Sequence, residues 1–433
     1  MASWTNWAGT ERAQPRDEVT PTVASQIVEV VERAVAHRTT VKMAGAGHSF
    51  TGISAPVDTL LRPDHLSGVV SVDREAMTVT VQAGTPLRVL NAELARLGMG
   101  LHNMGDIDEQ TLAGATSTGT HGTGGTVASL SAQIASFTMI SGRGEIITAS
   151  PTSFRELFEV GRVGLGALGV LTEITLNVEP LFALEAQERP MSWDAAMATY
   201  DELTTDHHHV DAYWFPHTDH VMTKLNDRLA ELDDLRPLGR FKRWRDDEFL
   251  SNTVFGALTA VGNRAPAAVP RLNQISGGAL SERTYSDIAH RVFTSPRRVR
   301  FKEMEYALPR QVGLEALKEV RRVIDAAGWR IGFPIEIRST PADDIALSTA
   351  AGRASMYLAF HVPVKADHTE YFAGVEQVLR HYDARPHWGK MHSLGVDDLA
   401  ALYPRFDEFL DLRDQLDPER VFTNPYLEKV LGK

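Results

Sequence analysis

The sequence predicts an α+β protein of two domains, on three observations. Its 433 residues exceed what one hydrophobic core normally organises. Its first part alternates helical and strand periods around two glycine-rich loops. After Pro180 those loops stop, and the texture becomes richer in charge and helix formers. The expected domains are residues 1–180 and 181–433, with the segment from about Pro386 onward returning to the first domain.

Composition narrows the class. Apolar content of 43% with 23% charged residues describes an ordinary globular chain. A net charge of −12 argues against a nucleic-acid partner. With no cysteine, disulfides, iron–sulfur clusters and thiolate metal sites are excluded. Residues Met1 to Arg16 lack a basic start followed by an apolar run, so no secretory signal is read there. No apolar stretch is long enough for a transmembrane segment. A cytoplasmic location is the resulting expectation.

The elements follow in order. Thr20-Pro21 reads as a capping hydroxyl and a first-turn proline. Val23, Ile27, Val30, Val31, Ala34 and Val35 then keep helical period to about His37. Thr40 to Ala44 is a strand running straight into the loop Ala44-Gly45-Ala46-Gly47-His48-Ser49. Val69 to Asp73 and Met77 to Gln82 are β-branched runs about a turn, hence a hairpin. Thr85-Pro86 opens a helix with Leu87, Leu90, Leu94 and Leu97 on one face, stopped by Gly98 and Gly100. Asn103 to Val127 has little period and much Gly, Thr and Ser, so it reads as an ordered cofactor loop. Gln133 to Ile140, Glu145 to Thr148 and Val170 to Val178 read as strands, and Phe154 to Val160 as a helix. Further on, Arg240 to Asp247 reads as a solvated mixed-charge run. Leu314 to Ala327 and Glu370 to His381 read as helices, Trp329 to Ser339 and Ala354 to Val364 as strands.

Two loops carry chemistry. Gly45 and Gly47 free the backbone and bare consecutive amides, an array that suits phosphate oxygens. A surface turn would explain these glycines but not His48. The second loop interleaves Gly114, Gly119, Gly122, Gly124 and Gly125 with Thr116, Ser117, Thr118, Thr120 and Thr123. Hydroxyls beside bare amides suit a pyrophosphate and a flavin edge. Gly164 to Gly169 fits G-x-G-x-x-G, but that fingerprint needs a strand before it and a helix after it. The order here is the reverse, so nicotinamide binding is rejected. Asp206-His207-His208-His209 with Asp211, His217 and His220 invites a metal reading, yet consecutive histidines on a strand face opposite ways, and no metal is expected. Glu336 and Arg338, two residues apart, share one strand face.

Four stretches together carry a resemblance. They are Ala44 to Phe50; Ala113-Gly114-Ala115 through Thr118-Gly119-Thr120-His121-Gly122-Thr123-Gly124; Gly169 to Thr175; and His387-Trp388-Gly389-Lys390 with the tail Asp417-Pro418 to Leu427. In this order, over nearly the whole chain, they resemble the vanillyl-alcohol-oxidase family and its aldonolactone and alditol oxidoreductases. The resemblance implies a PCMH-type FAD-binding fold, with a substrate cap built on an antiparallel sheet flanked by helices. It implies FAD, bonded through its 8α-methyl carbon to His48. FAD contacts are implied for Ala44, Gly45, Ala46, Gly47, His48, Ser49, Gly105, Asp106, Thr111, Gly114, Ser117, Gly119, Thr120, His121, Gly122, Gly169 and Ile174.

Glu336, Arg338 and Lys390 are implied as catalytic. Glu336 would bind substrate hydroxyls. Arg338 would polarise the reacting oxygen or stabilise negative charge on the reduced flavin, and Lys390 would face flavin N1 and the C2 carbonyl. Asp106 and His361 join them at the substrate. The implied reaction oxidises a hydroxyl of a sugar-1,4-lactone such as L-gulono-1,4-lactone, with hydride passing to flavin N5. Gly105 occupies a gatekeeper position where glycine goes with oxygen access, so O2 is the expected acceptor and hydrogen peroxide a product. A dehydrogenase using a cytochrome or quinone-like acceptor stays open, as does an alditol oxidase, although Asp106 replaces the serine found there. A phenolic-alcohol enzyme of the same fold and a binding protein without catalysis are further alternatives. The retained Glu336, Arg338 and Lys390 argue against the last.

Overall fold

The computed structural model describes residues 3–243 and 252–433, so part of the Arg240 to Asp247 run lies outside the described residues. The first helix, Ala24–His37, buries Ile27, Val30, Val31 and Ala34, as the period requires. It starts later than Thr20-Pro21 suggests. Val23 is extended at the N-cap, and Gln26 reaches back to take the Thr22 amide at 2.7 Å. Thr20-Pro21 therefore belongs to the lead-in that follows the short strand Asp17–Val19.

That strand, Thr59–Leu61 and Val41–Met43 form a parallel three-stranded sheet. The first glycine loop leaves the end of Val41–Met43, where the ladder stops. Beside it, a five-stranded antiparallel sheet runs in the order Ile146–Ala149, Ile134–Ile140, Val170–Asn177, Thr78–Gln82, Val69–Asp73. The expected hairpin is its edge pair. Inward Val79, Val81, Phe137, Ile174 and Leu176 pack with Leu87, Leu90 and Leu94 of the helix Leu87–Arg96. The segment from Asn103 to Val127 is not wholly irregular. It contains the helix Leu112–Ser117, capped by Thr111. Its small residues give no amphipathic signal, so only burial of Leu112, Ala113 and Ala115 reveals it. Gly164 to Gly169 lies after the helix Arg155–Gly161 and before the strand Val170–Asn177, the order that excludes a nicotinamide fingerprint.

From Ala183 the chain builds an eight-stranded sheet. In space its strands run Arg283–Ile288, Ala183–Ser192, His220–Leu229, His209–Trp214, Ile335–Thr340, Ser355–Pro363, Phe301–Pro309 and Arg385–Pro386, and every neighbouring pair is antiparallel. Trp329 to Pro334, expected as strand, lies before the ladder, which begins at Ile335. One sheet face is apolar: Met304, Tyr306, Ile335, Ile337, Leu358 and Phe360 are buried in the core that also holds the helices Gly313–Ala327 and Thr369–Arg380.

The other face is polar. Glu336 pairs with Tyr213 on one side and Ala359 on the other, and Ala359 pairs with Glu305. Asp211, Arg338, His361 and Glu303 stand two residues from members of that row and so share its face. The polar face meets the loops of the first half. Thr123 Oγ1 accepts from the Ser339 amide at 3.2 Å, and the Gly125 amide donates to His208 O at 2.7 Å. The chain end also packs on the first half. Asn424 Nδ2 contacts Gly52 O, Ile53 O and Ala55 O at 2.9, 3.2 and 3.0 Å. No helix among the described residues is long and apolar enough to cross a membrane.

Candidate active site

The first glycine loop forms one wall of a cleft. Gly45, Ala46, Gly47, His48 and Ser49 line it, opposite Thr111, Gly114, Ser117, Gly166 and Gly169. Among the described residues, no protein group accepts from the amides of Gly45 through Ser49. Such a run of unpaired amides is a built anion receptor. A Cβ on Gly45 would lie 2.3 Å from Thr111 Oγ1, so only glycine lets the two walls approach this closely. The cleft floor holds Lys42, whose Nζ donates to Gly166 O at 2.8 Å and Phe422 O at 3.2 Å. Burial lowers this lysine to about 7. These features fit a flavin dinucleotide: free amides for the pyrophosphate, and glycine backbone where a flat ring needs close approach.

His48 is half-buried at the cleft and stacks on Trp7, with ring centroids 5.3 Å apart. Burial depresses its pKa to about 4, helped by Lys390 and opposed by Glu109. The imidazole is therefore neutral at physiological pH, the form that carries a nucleophilic lone pair. Trp7 is fixed by its own amide, which donates to Gly47 O at 2.7 Å.

The same loop reaches the lysine motif. The Phe50 amide donates to Gly389 O at 2.7 Å, and Thr51 Oγ1 to Trp388 O at 3.4 Å. Lys390 Nζ lies 5.2 Å from the centre of the Phe50 ring. The ammonium pairs with Glu303 and stands 4.0 Å from Glu305. Burial would lower its pKa, but these carboxylates hold it above the ordinary lysine value. Beyond Glu305 sits His121, with Nε2 at 3.2 Å from the carboxylate and Nδ1 at 2.9 Å from Gly122 O. Burial would raise Glu305, but His121 and then Lys390 hold it well below the usual carboxylate range.

His121, Glu305 and His387 are the one group among the described residues close enough to share a metal ion. His387 Nδ1 accepts the Gly389 amide at 3.1 Å, which leaves its proton on Nε2. His207 pairs with Asp227 at 2.6 Å while His208 bonds His209, so that histidine run does not converge.

The second charged centre is built on Glu336 and Arg338, both 7% exposed. Their burial rules out a surface ion pair. Arg338 Nε contacts Asp211 Oδ1 at 2.9 Å, and Nη2 lies 2.6 Å from Glu336 Oε1 and 3.6 Å from Asp106 Oδ1. Among the described residues Glu336 Oε1 nonetheless has no hydrogen-bond partner, so it keeps acceptor capacity for a hydroxyl. Burial raises the Glu336 pKa; Asp106 and Asp211 add to the rise, against Arg338. Folding thus binds a proton here. That contribution to stability is present at low pH and is lost as pH climbs through the folded-state value. Glu336→Gln is expected to flatten the decline of the thermal midpoint from the ordinary 4.5 upward. Melting curves across pH check this; an unchanged slope would contradict it.

Nine of the residues implied at the cofactor line the cleft: Gly45, Ala46, Gly47, His48, Ser49, Thr111, Gly114, Ser117 and Gly169. Ala44 donates its amide to Leu61 O, and Ile174 is a fully buried strand residue, so neither lies at the cleft wall. Gly105, Asp106, Gly119, Thr120, His121 and Gly122 are also outside it. A Cβ on Gly105 would press on Thr120 Cγ2 at 3.2 Å and His121 O at 3.3 Å. Asp106 is taken up by Arg297 at 2.7 Å as well as by Arg338. His361 joins the lysine centre, with Nε2 at 3.4 Å from Glu303. Sequence reading missed Trp7, Arg297, Glu303, Glu305 and Lys42, and it weighed Asp211 only with the histidine run. For Glu303 and Glu305 a signal existed, since two carboxylates two apart on a strand repeat the Glu336-x-Arg338 pattern.

Comparison with known proteins agrees with this geometry. Residues 174–430 match the D-arabinono-1,4-lactone oxidase family, and residues 15–150 match an FAD binding domain. The chain is 37% identical over 429 residues to the L-gulono-1,4-lactone dehydrogenase of Mycobacterium tuberculosis, covering 99% of each. It is 31% identical over 435 residues to the L-gulonolactone oxidase of Scyliorhinus torazame, covering 98% of this chain and 97% of that one. Its fold superimposes on cholesterol oxidase from B. sterolicum with a TM-score of 0.84 at 18% identity, covering 99% and 96% of the two chains. The chain belongs to the D-arabinono-1,4-lactone oxidase family, FAD-dependent oxidoreductases on the PCMH-type fold.

Proposed function

We propose that the protein oxidises a hydroxyl of a neutral sugar-1,4-lactone, of the L-gulono-1,4-lactone kind, in a site shared by a flavin domain, residues 1–180, and a substrate domain, residues 181–433. Bound FAD supplies the hydride acceptor, its N5. The observation that carries the reading is the polar sheet face. There Glu336 lies in one cross-strand row with Glu305, across the intervening Ala359, and Glu305 stands beside Lys390. Arg297, Arg338 and Lys390 each already face a carboxylate. With these three site cations already engaged, the arrangement favours the neutral lactone over its open-chain acid. Glu336 Oε1 accepts a substrate hydroxyl, Arg338 polarises the reacting oxygen, and Lys390 stabilises charge developing on the flavin. An anaerobic screen of lactones, alditols and phenolic alcohols tests this: a lactone should bleach the flavin fastest.

His48 is the proposed point of FAD attachment, supported by its neutral imidazole at the cleft. Denatured protein on a gel is expected to fluoresce under ultraviolet light, and His48→Ala to lose that band. Fluorescence running with the dye front would refute the bond. The expected oxidant is O2, on the strength of Gly105, with a dehydrogenase as the second reading because the 37% relative carries that name. Fast reoxidation of the reduced enzyme in air supports the first; reoxidation only by an added dye supports the second. A cytoplasmic location accompanies this reading.

A further inference from the structure

One strap of chain joins the two halves of the site, and its key residue, Arg297, has so far been assigned no part in holding the substrate. The Ser295 amide donates to Asp106 O at 3.0 Å. Two residues on, Arg297 Nη2 bonds Asp106 Oδ2 at 2.7 Å. On the strap's other side, Asn252 Nδ2 donates to Pro296 O at 3.1 Å and Asn252 Oδ1 accepts the Arg298 amide at 2.8 Å. The strap is therefore strung between a loop of the first half and a helix of the second.

Asp106 divides its carboxylate between two guanidiniums, Oδ2 to Arg297 and Oδ1 to Arg338. Arg338 in turn commits Nε to Asp211 and Nη2 to Glu336 and Asp106, and Nη1 has no partner among the described residues. We propose that Arg297 is a positioning residue that sets substrate selectivity. By occupying one oxygen of Asp106, it ties the Thr294–Arg298 strap to the Asp106 loop and fixes Arg338 with Nη1 left for a compact, neutral, hydroxylated ring. Without Arg297, both Asp106 oxygens are free to chelate Arg338 and draw its fork away from Glu336.

The selectivity half rests on the proposed substrate reading; the strap half does not, so two readouts separate them. In the FAD-loaded enzyme, Arg297→Ala and Asp106→Asn are each expected to speed hydrogen exchange at the Ser295 amide on the order of tenfold, the double variant no more than either alone. With L-gulono-1,4-lactone, Arg297→Ala is expected to raise KM on the order of tenfold, with a smaller fall in kcat, and to narrow the preference for lactone over an open-chain alditol. Arg297→Lys should restore part of the KM, since charge survives but the planar fork does not. Unchanged exchange in both single variants overturns the strap whatever the substrate. Loosened exchange with unchanged KM and unchanged lactone preference overturns the selectivity role. A wild-type flavin that no lactone reduces sinks the substrate reading and the selectivity role with it, while the exchange result still decides the strap.

Discussion

With alanine at position 390, flavin reduction should slow on the order of a hundredfold or more. The ammonium is a fixed cation, gripped by Glu303 and Glu305 on one strand and brought to the flavin loop by the bond from Phe50 to Gly389. A preorganised charge aimed at developing negative charge is typically worth about 3–4 kcal/mol of barrier. The substitution also leaves buried Glu303 with only His361, and buried Glu305 with only His121, as ion-pair partners among the described residues, and removing one partner of a buried pair costs about 3–5 kcal/mol of stability. The double variant Lys390→Ala/Glu303→Gln separates the effects. It should regain stability while reduction stays slow. Stopped-flow reduction at matched FAD content reads the rate; a flavin-loaded Lys390→Ala enzyme reducing at the native rate would refute the role.

Arg338→Met should cost both stability and activity. Its guanidinium faces Asp106, Asp211 and Glu336, and only Arg297 remains to offset the first of these. Burial would lower the Arg338 pKa, yet those carboxylates hold it well above the ordinary value, which signals how strongly the cluster depends on it. Removal is expected to destabilise by about 3–5 kcal/mol and to lower kcat/KM for the lactone on the order of a hundredfold or more. Arg338→Lys keeps the charge but not the fork, so it should recover stability better than activity. Denaturant titration and steady-state kinetics check the two arms. Equal recovery of both would mean that charge alone, not geometry, is what the site uses.

Much of this site is legible in the chain because its residues announce themselves locally. His48 follows two glycines, Glu336 and Arg338 share a strand face, and Lys390 ends a motif. The hairpin Val69 to Gln82 and the helix Gly313–Ala327 are legible for the same reason: their periods lie within a short window. What is not legible is whatever depends on register between distant strands. Glu305 meets Glu336 only through Ala359, a residue with no chemistry of its own. Arg297 lies 191 positions from Asp106, inside a stretch with no motif. Trp7 reads as one of several scattered aromatics until the fold lays it on His48. The helix Leu112–Ser117 is hidden because small residues carry no moment, and the Ala24–His37 start is displaced because Val23, not Thr20, is the N-cap, while Gln26 takes the Thr22 amide.

The central claim is that the flavin cleft and the polar face of the large sheet are a single reaction site. The most direct test is anaerobic reduction of the FAD-loaded enzyme by L-gulono-1,4-lactone, comparing wild type with Glu336→Gln. Glu336 lies outside the cleft lining, so the variant should load FAD and keep its fold. The account predicts full bleaching of the wild-type flavin and reduction at least about tenfold slower in the variant, the scale of losing one hydrogen bond to a charged group. A Glu336→Gln enzyme that reduces at the wild-type rate would contradict it.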